Sequence, residues 1–99
     1  MPNIDTYREN GRILYENLTK IGYTVSHPDG AFYLFLKALC DDALAFCEAA
    51  RKFEIMIVPS DSFGVTGYAR ISYCVSAETV KNSLDAFRRL FDYYKTQDR

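Results

Sequence analysis

The sequence predicts one α+β domain, a two-layer sandwich in which three helices pack on a small, mainly antiparallel sheet of about four strands. Apolar residues recur at spacings of three and four in three segments, as in helices with one buried face. Short strand-like segments lie between them, bounded by Gly, Pro and Asp turns. The predicted order over residues 1–99 is therefore α-β-β-α-β-β-α.

Composition narrows the functional classes. The 99 residues are 48% hydrophobic and 25% charged, which is enough apolar material for a core and excludes a disordered chain. A net charge of −1 offers no electrostatic basis for binding nucleic acid or an anionic membrane. No apolar run approaches the ~20 residues of a membrane helix. We therefore expect a cytoplasmic protein with neither partner.

The cysteines and the single histidine do not form a metal-binding motif. Cys40, Cys47 and Cys74 are odd in number and widely spaced, without a C-x-x-C pair. His27 is the only histidine and lies in a turn-rich segment. We predict no metal site, three reduced cysteines in the core, and a surface turn residue at His27.

The first predicted helix covers residues 4–20, where one apolar stripe faces a charged side. Gly11 lies within that stripe and indicates close packing or a bend. Gly22 suits a left-handed helix cap. A short strand is predicted at 23–25, before a turn that contains Pro and Gly.

The middle of the chain predicts a strand and a second helix. Residues 31–37 are large and apolar on both faces, which predicts a central strand covered on both sides. Asp41 or Asp42 then caps a helix that reaches Phe53. The adjacent acids are better explained as a cap at the positive helix end than as a metal site.

Two further strands and a helix complete the predicted fold. A strand over 54–58 should end at Pro59, because proline cannot continue a ladder. The last strand starts at Tyr68, and Ser76 caps the third helix. The tail, residues 96–99, is expected to fray.

The last strand places a cation among apolar neighbours. Its alternation puts Ala69 and Ile71 on one face, and Arg70 with Tyr68 and Ser72 on the other. One interpretation is an ordinary arginine that reaches water from a sheet edge. The other is a fixed guanidinium fork that holds a carboxylate or phosphate.

Spaced motifs in the chain resemble those of a known family. They are GAFYLF at 30–35, VP at 58–59, SFG at 62–64 and GYARISY at 67–73. Together they are similar to the C-terminal small domain of fold-type I, pyridoxal-phosphate-dependent aminotransferases, especially the aspartate aminotransferase group. The likeness covers roughly residues 7–94; Ser60 departs from it, where many relatives carry Gly.

The resemblance implies a function for the full-length protein and for particular residues. It implies transamination of amino acids and 2-oxo acids with pyridoxal phosphate, in a homodimer. It assigns the substrate α-carboxylate to Arg70, and it makes Ser62, Phe63 and Gly64 candidates for lining the substrate entrance. The family's cofactor-binding groups lie in a large domain, which we expect before Met1. This chain alone is then expected to hold no catalytic residue, to bind no cofactor and to be inactive.

Two other functions stay open at this point. The domain also suits a free-standing ferredoxin-like module that binds a small molecule or regulates another protein, since that architecture hosts unrelated functions. An oligomerisation piece would need a contiguous apolar surface. A binding module does not need the joint spacing of the glycine turn, Arg70 and the aromatic segment 31–35. The sequence leaves the amino-acid substrate undetermined.

Overall fold

The computed structural model describes residues 4–26, 32–53, 55, 57–59 and 67–97. These residues form the helices α1 (Ile4–Ile21), α2 (Ala43–Lys52) and α3 (Ala77–Gln97), and the strands β1 (Tyr33–Lys37), β2 (Val58–Pro59) and β3 (Tyr68–Ser72). The α+β class and the three helices are confirmed. Among the described helices none is long and apolar enough to cross a membrane.

The sheet is antiparallel and has the order β1-β3-β2. Its middle strand is β3, in which Arg70 pairs with Phe35 of β1 and with Val58 of β2. No tight hairpin joins β3 to either of its neighbours, because α2 and β2 lie between β1 and β3 in the chain and segment 60–67 separates β2 from β3. β1 and β2 run in the same direction, because each is antiparallel to β3.

The predicted strand at 23–25 is only a bridge in the structure. Val25 pairs with Leu36 along the outer edge of β1, and the Ser26 N–H donates to the Phe35 carbonyl at 2.9 Å. The described part of the sheet thus has three strands, and the expected number of about four is not reached.

The prediction that segment 31–37 is central and covered on both sides is wrong. β1 starts at Tyr33, after Phe32 with φ 64, and lies beside β3 away from the sheet centre. Leu34 and Leu36 are fully buried, whereas Tyr33 and Lys37 are exposed. Apolar residues on both faces of this segment therefore do not mean that the described residues cover both faces.

The strand predicted at 54–58 is shorter and displaced. β2 begins at Val58 and includes Pro59, which pairs with Ala69 although it was expected to end the strand. β2 lies at the sheet edge, where a residue without an N–H is tolerated. Glu54 and Met56 lie outside the described residues.

The helix ends follow local hydrogen bonds. Asp42, and not Asp41, is the N-cap of α2, since its carboxylate accepts from two backbone N–H groups at 3.0 and 3.3 Å. Ser76 caps α3 as predicted, with its Oγ accepting from the Thr79 N–H at 3.1 Å. α3 extends to Gln97 and includes Thr96, whose Oγ1 donates to the Asp92 carbonyl at 2.9 Å; the rest of the tail that was expected to fray, residues 98 and 99, lies outside the described residues.

The core lies between the helices and one face of the sheet. That face contributes four buried side chains: Leu34, Leu36, Ala69 and Ile71. α1 and α3 cover it together with α2, whose Cys47 is buried. Cys40 is half-buried and Cys74 exposed, so the prediction of three core cysteines holds for Cys47 alone.

A buried tyrosine connects the core to α3. The Tyr23 hydroxyl donates to the Phe87 carbonyl at 2.8 Å, and the ring packs edge-on against Phe87. Burial raises the pKa of Tyr23 above its ordinary value. The hydroxyl thus makes a buried hydrogen bond that connects the core to α3.

Gly11 marks close packing between α1 and the end of β3. A Cβ placed on Gly11 would lie 2.9 Å from two carbons of the Tyr73 ring, which is itself buried. Of the two interpretations of Gly11, the structure supports close packing. A glycine at this helix position costs intrinsic propensity but allows the ring to contact the backbone of α1.

Asn10, the neighbouring residue, is a buried polar group that the sequence pattern did not reveal. Its side chain is 1% exposed. The amide Nδ2 donates to the Tyr73 carbonyl at 3.1 Å and to the Val75 carbonyl at 2.7 Å. It thereby satisfies two backbone acceptors just past the end of β3, where the ladder no longer does so.

We predict that the chain unfolds cooperatively and that Asn10→Ala lowers its free energy of unfolding by about 1–3 kcal/mol, because two carbonyls lose their buried donor. The measurement is urea unfolding followed by circular dichroism. Asn17→Ala is the matched control, since the Asn17 amide donates only within α1, to the Ile13 carbonyl at 2.8 Å. A change of less than about 0.5 kcal/mol is expected there. Equal losses in both variants would contradict the bridging role of Asn10.

We also predict that Gly11→Ala destabilises the domain, by about 1–2 kcal/mol. Alanine favours the helix by ~1 kcal/mol, but overpacking against the Tyr73 ring costs more. In a Tyr73→Leu background, the same Gly11→Ala change should be neutral or stabilising, because the ring is gone. The free energies come from the same urea titrations. A stabilising Gly11→Ala in the otherwise unchanged chain would show that the contact is soft.

Candidate functional site

The sheet face that points away from the helices is the candidate site, and it is called the open face below. It carries side chains from alternate positions of two strands: Tyr33, Phe35, Lys37, Tyr68, Arg70 and Ser72. All six are half-buried or exposed, whereas the intervening residues of both strands are buried. The alternation predicted for the last strand is confirmed by this burial pattern.

Arg70 lies near the middle of the open face. Its strand is hydrogen-bonded on both sides, so the backbone of Arg70 is held by β1 and by β2. The side chain is half-buried and lies on the face opposite the core. A cation in this place combines a rigid base with access to a ligand that approaches the open face.

The ring of Tyr33 lies against the Arg70 guanidinium. Arg70 Cζ is 4.4 Å from the ring centroid, well inside the range of a cation–π contact. Tyr33 pairs with Ser72 and Arg70 pairs with Phe35, so Tyr33 and Arg70 are diagonal neighbours across the two strands. Long side chains on such diagonals reach each other.

The residues predicted to line the substrate entrance fall in the segment between β2 and β3. Ser62, Phe63 and Gly64 lie outside the described residues, as does His27. Among the described residues, the structure brings Arg70 together with the aromatic residues of β1.

The lysines of the chain lie on its surface. All five are exposed: Lys20, Lys37, Lys52, Lys81 and Lys95. An amine that carries out carbonyl chemistry in enzymes is normally held in a pocket that lowers its pKa. Among the described residues, no group of three or more His, Cys, Asp or Glu side chains is placed to hold a metal ion.

A groove of about 260 Å³ lies mainly between α3 and the end of β3, where Ser72 also lines it. One side of α3 lines it with Ser83, Ala86 and Arg89, and the β3 residue Ile71 contributes to its floor. The Arg89 Nε is 3.3 Å from the Asp85 carboxylate, and both side chains are well exposed. The groove is thus lined by apolar core residues together with the exposed side chain of Arg89.

The contact between Tyr33 and Arg70 was missed at the level of sequence. Each residue belonged to a predicted strand, but the pairing of those strands was not predicted. Antiparallel pairing with Phe35 opposite Arg70 would have indicated it, because residues two apart on a strand share a face. The sequence did not provide the register between these two distant strands, which is needed to predict the contact.

Comparison with known proteins identifies the family to which this chain belongs. Residues 3–87 match the family "Aminotransferase class I and II". Because the match covers most of the chain, the chain belongs to that family.

Particular relatives are aminotransferases of bacteria. An aspartate aminotransferase of Thermotoga maritima is 35% identical over 83% of this chain and 22% of its own length. The crystal structure of an aminotransferase from Eubacterium rectale superposes with a TM-score of 0.88 at 51% identity, over 93% of this chain and 23% of that one. The aspartate aminotransferase of Thermus thermophilus with maleate has a TM-score of 0.82 at 30% identity, over 87% and 23%.

In all three comparisons, the match covers most of this chain but only a small part of the relative. This chain spans less than a quarter of the length of each of these three relatives. The relatives therefore contain large parts to which the described fold has no counterpart.

Proposed function

We propose that this chain is the C-terminal small domain of a pyridoxal-phosphate-dependent aminotransferase of the aspartate aminotransferase type. The observation that carries the proposal is the family match over residues 3–87 together with a half-buried arginine on a rigid, open sheet face. The full-length protein would exchange amino groups between amino acids and 2-oxo acids. It would act as a cytoplasmic homodimer, and this chain alone would be inactive.

Arg70 is the residue that binds the substrate in this proposal. A guanidinium presents parallel N–H donors that match the two oxygens of a carboxylate, so it fixes both the position and the orientation of the bound group. Holding the α-carboxylate at a rigid strand also orients the α-carbon to which it is attached. The position of Arg70 on the middle strand supports this role, because the strand is held on both sides.

The described residues do not themselves fit the cofactor. Pyridoxal phosphate supplies the electron-withdrawing ring that stabilises charge at the substrate α-carbon when it is bound. Every lysine here is exposed on the surface, and none lies in a pocket suited to hold the cofactor's carbonyl group. We infer that the cofactor is held by parts of the full-length protein outside this chain, and that the chain contributes substrate binding.

The open face supports contact with those other parts. Aromatic residues on a face that the helices leave uncovered are typical of a surface that another part of a protein covers. Tyr33 and Phe35 meet this description, and a cofactor-bearing domain that faced them would also face Arg70. The alternative of a free-standing ferredoxin-like module has no observation of its own in its favour.

Arg70→Ala and Arg70→Lys are both expected to lower kcat/KM for amino-acid substrates in the full-length protein, by roughly 30- to 1000-fold. Lysine should not restore the activity, since an ammonium group cannot make the planar two-point contact. The measurement is steady-state kinetics of purified variants with matched thermal stability.

Arg88→Lys and Arg88→Ala serve as controls, because Arg88 is exposed on α3, away from the open face. They should retain wild-type kinetics. If both Arg70 variants also stayed near wild type, Arg70 would be an ordinary surface arginine and the proposed substrate contact would be wrong.

Treatment of this chain with pyridoxal phosphate and borohydride should label several lysines weakly and none selectively. The reason is that all five amines are solvated and none has a pocket to favour it. Peptide mapping by mass spectrometry gives the distribution, and the full-length protein treated in parallel should show one strongly labelled lysine outside this chain. Stoichiometric labelling of one lysine in this chain would contradict the inference.

A further inference from the structure

The open face contains a residue whose geometry assigns it a role that neither the motifs nor the family match provides. We propose that Tyr33 is a positioning residue for Arg70, and that its ring holds the guanidinium in the orientation in which the fork receives a substrate carboxylate. This inference rests on the proposed function of Arg70 and extends it to a second residue of this chain.

The first step is the need for a positioning group. An arginine side chain has many rotamers, and ordering it when a ligand binds weakens the binding. An aromatic ring attracts the positive charge through its face and requires no N–H donor for the contact.

The second step is that Tyr33 meets this need geometrically. Arg70 Cζ lies 4.4 Å from the centroid of the Tyr33 ring. Tyr33 is 36% exposed, so the pair lies where a ligand can reach it and where the ring still shields part of the cation from water. Partial shielding strengthens a cation–π contact compared with a fully solvated one.

The third step is that the backbone carrying the Tyr33 ring is held in place. Tyr33 is the first residue of β1 and pairs with Ser72. Immediately before it, the Phe32 ring packs edge-on against the rings of Tyr7 and Tyr73, and the Phe32 carbonyl accepts from the Tyr73 N–H at 3.2 Å. The backbone on which Tyr33 stands is therefore tied to the core on one side and to β3 on the other.

The test uses the full-length protein and the dicarboxylate maleate, which accompanies the Thermus thermophilus relative. Maleate affinity is measured by isothermal titration calorimetry, and KM and kcat are measured with an amino-acid substrate. Tyr33→Leu is expected to weaken maleate binding and to raise KM by about 3- to 30-fold, with kcat changed much less, because the contact orders the fork in both the ground and the transition state. Tyr33→Phe keeps the ring face and should stay within about twofold of wild type.

Two further variants separate positioning from general stability. Tyr93→Leu removes a tyrosine of similar exposure, 41%, from α3, and it should leave both quantities unchanged. In an Arg70→Ala background, Tyr33→Leu should add less than about twofold, because a positioning residue has no effect once its target is absent. Tyr33→Ile, which suits a strand, replaces Tyr33→Leu if the latter lowers the melting temperature.

The outcomes distinguish this inference from the proposed function. Loss of maleate binding in Arg70→Ala with wild-type binding in Tyr33→Leu and Tyr33→Ile would overturn the role of Tyr33 alone. The same role would be overturned by Tyr33→Phe losing as much as Tyr33→Leu, or by an undiminished effect of Tyr33→Leu without Arg70. Wild-type maleate binding in Arg70→Ala would instead overturn the proposed function of Arg70, and the role of Tyr33 with it.

Discussion

The hydrogen-bonded position of β3 between β1 and β2 is the constraint on which the rest of the structure depends. A strand held on both sides cannot rotate about its axis, so its period of two assigns each residue to one face. Ala69 and Ile71 enter the core, and Arg70 between them must lie on the open face. A slip of one residue would bury the guanidinium and expose the apolar pair, which makes the register of this strand strongly determined.

α1 reinforces the end of that strand at the point where the ladder stops. The Asn10 amide serves the carbonyls of Tyr73 and Val75, while Gly11 allows the Tyr73 ring to lie against the helix. The same ring contacts Phe32, which precedes β1. One buried polar group and one cluster of rings thus connect the first helix with both strands that form the open face.

The open face carries aromatic side chains, although the helices of this chain leave it uncovered. Tyr33 and Phe35 alternate with buried leucines, so β1 is apolar on both sides although the helices cover only one. Under the proposed function this composition has a physical reason, since another part of an aminotransferase would cover the second side. The error of treating β1 as a central strand came from this feature: apolar residues on its second face indicated a coverage that the described residues do not supply.

Local patterns along the sequence were sufficient for the helices and their caps and for the face on which Arg70 lies, because these depend on residues within a few positions of one another. The motifs were also sufficient to recognise the family, since their spacing survives in one chain. The tertiary structure alone decided the order β1-β3-β2, the reduction of segment 23–25 to a bridge, the buried bonds of Asn10 and the contact of Tyr33 with Arg70. Each of these depends on which distant segments lie side by side and in what register, and this is settled by packing over the whole domain.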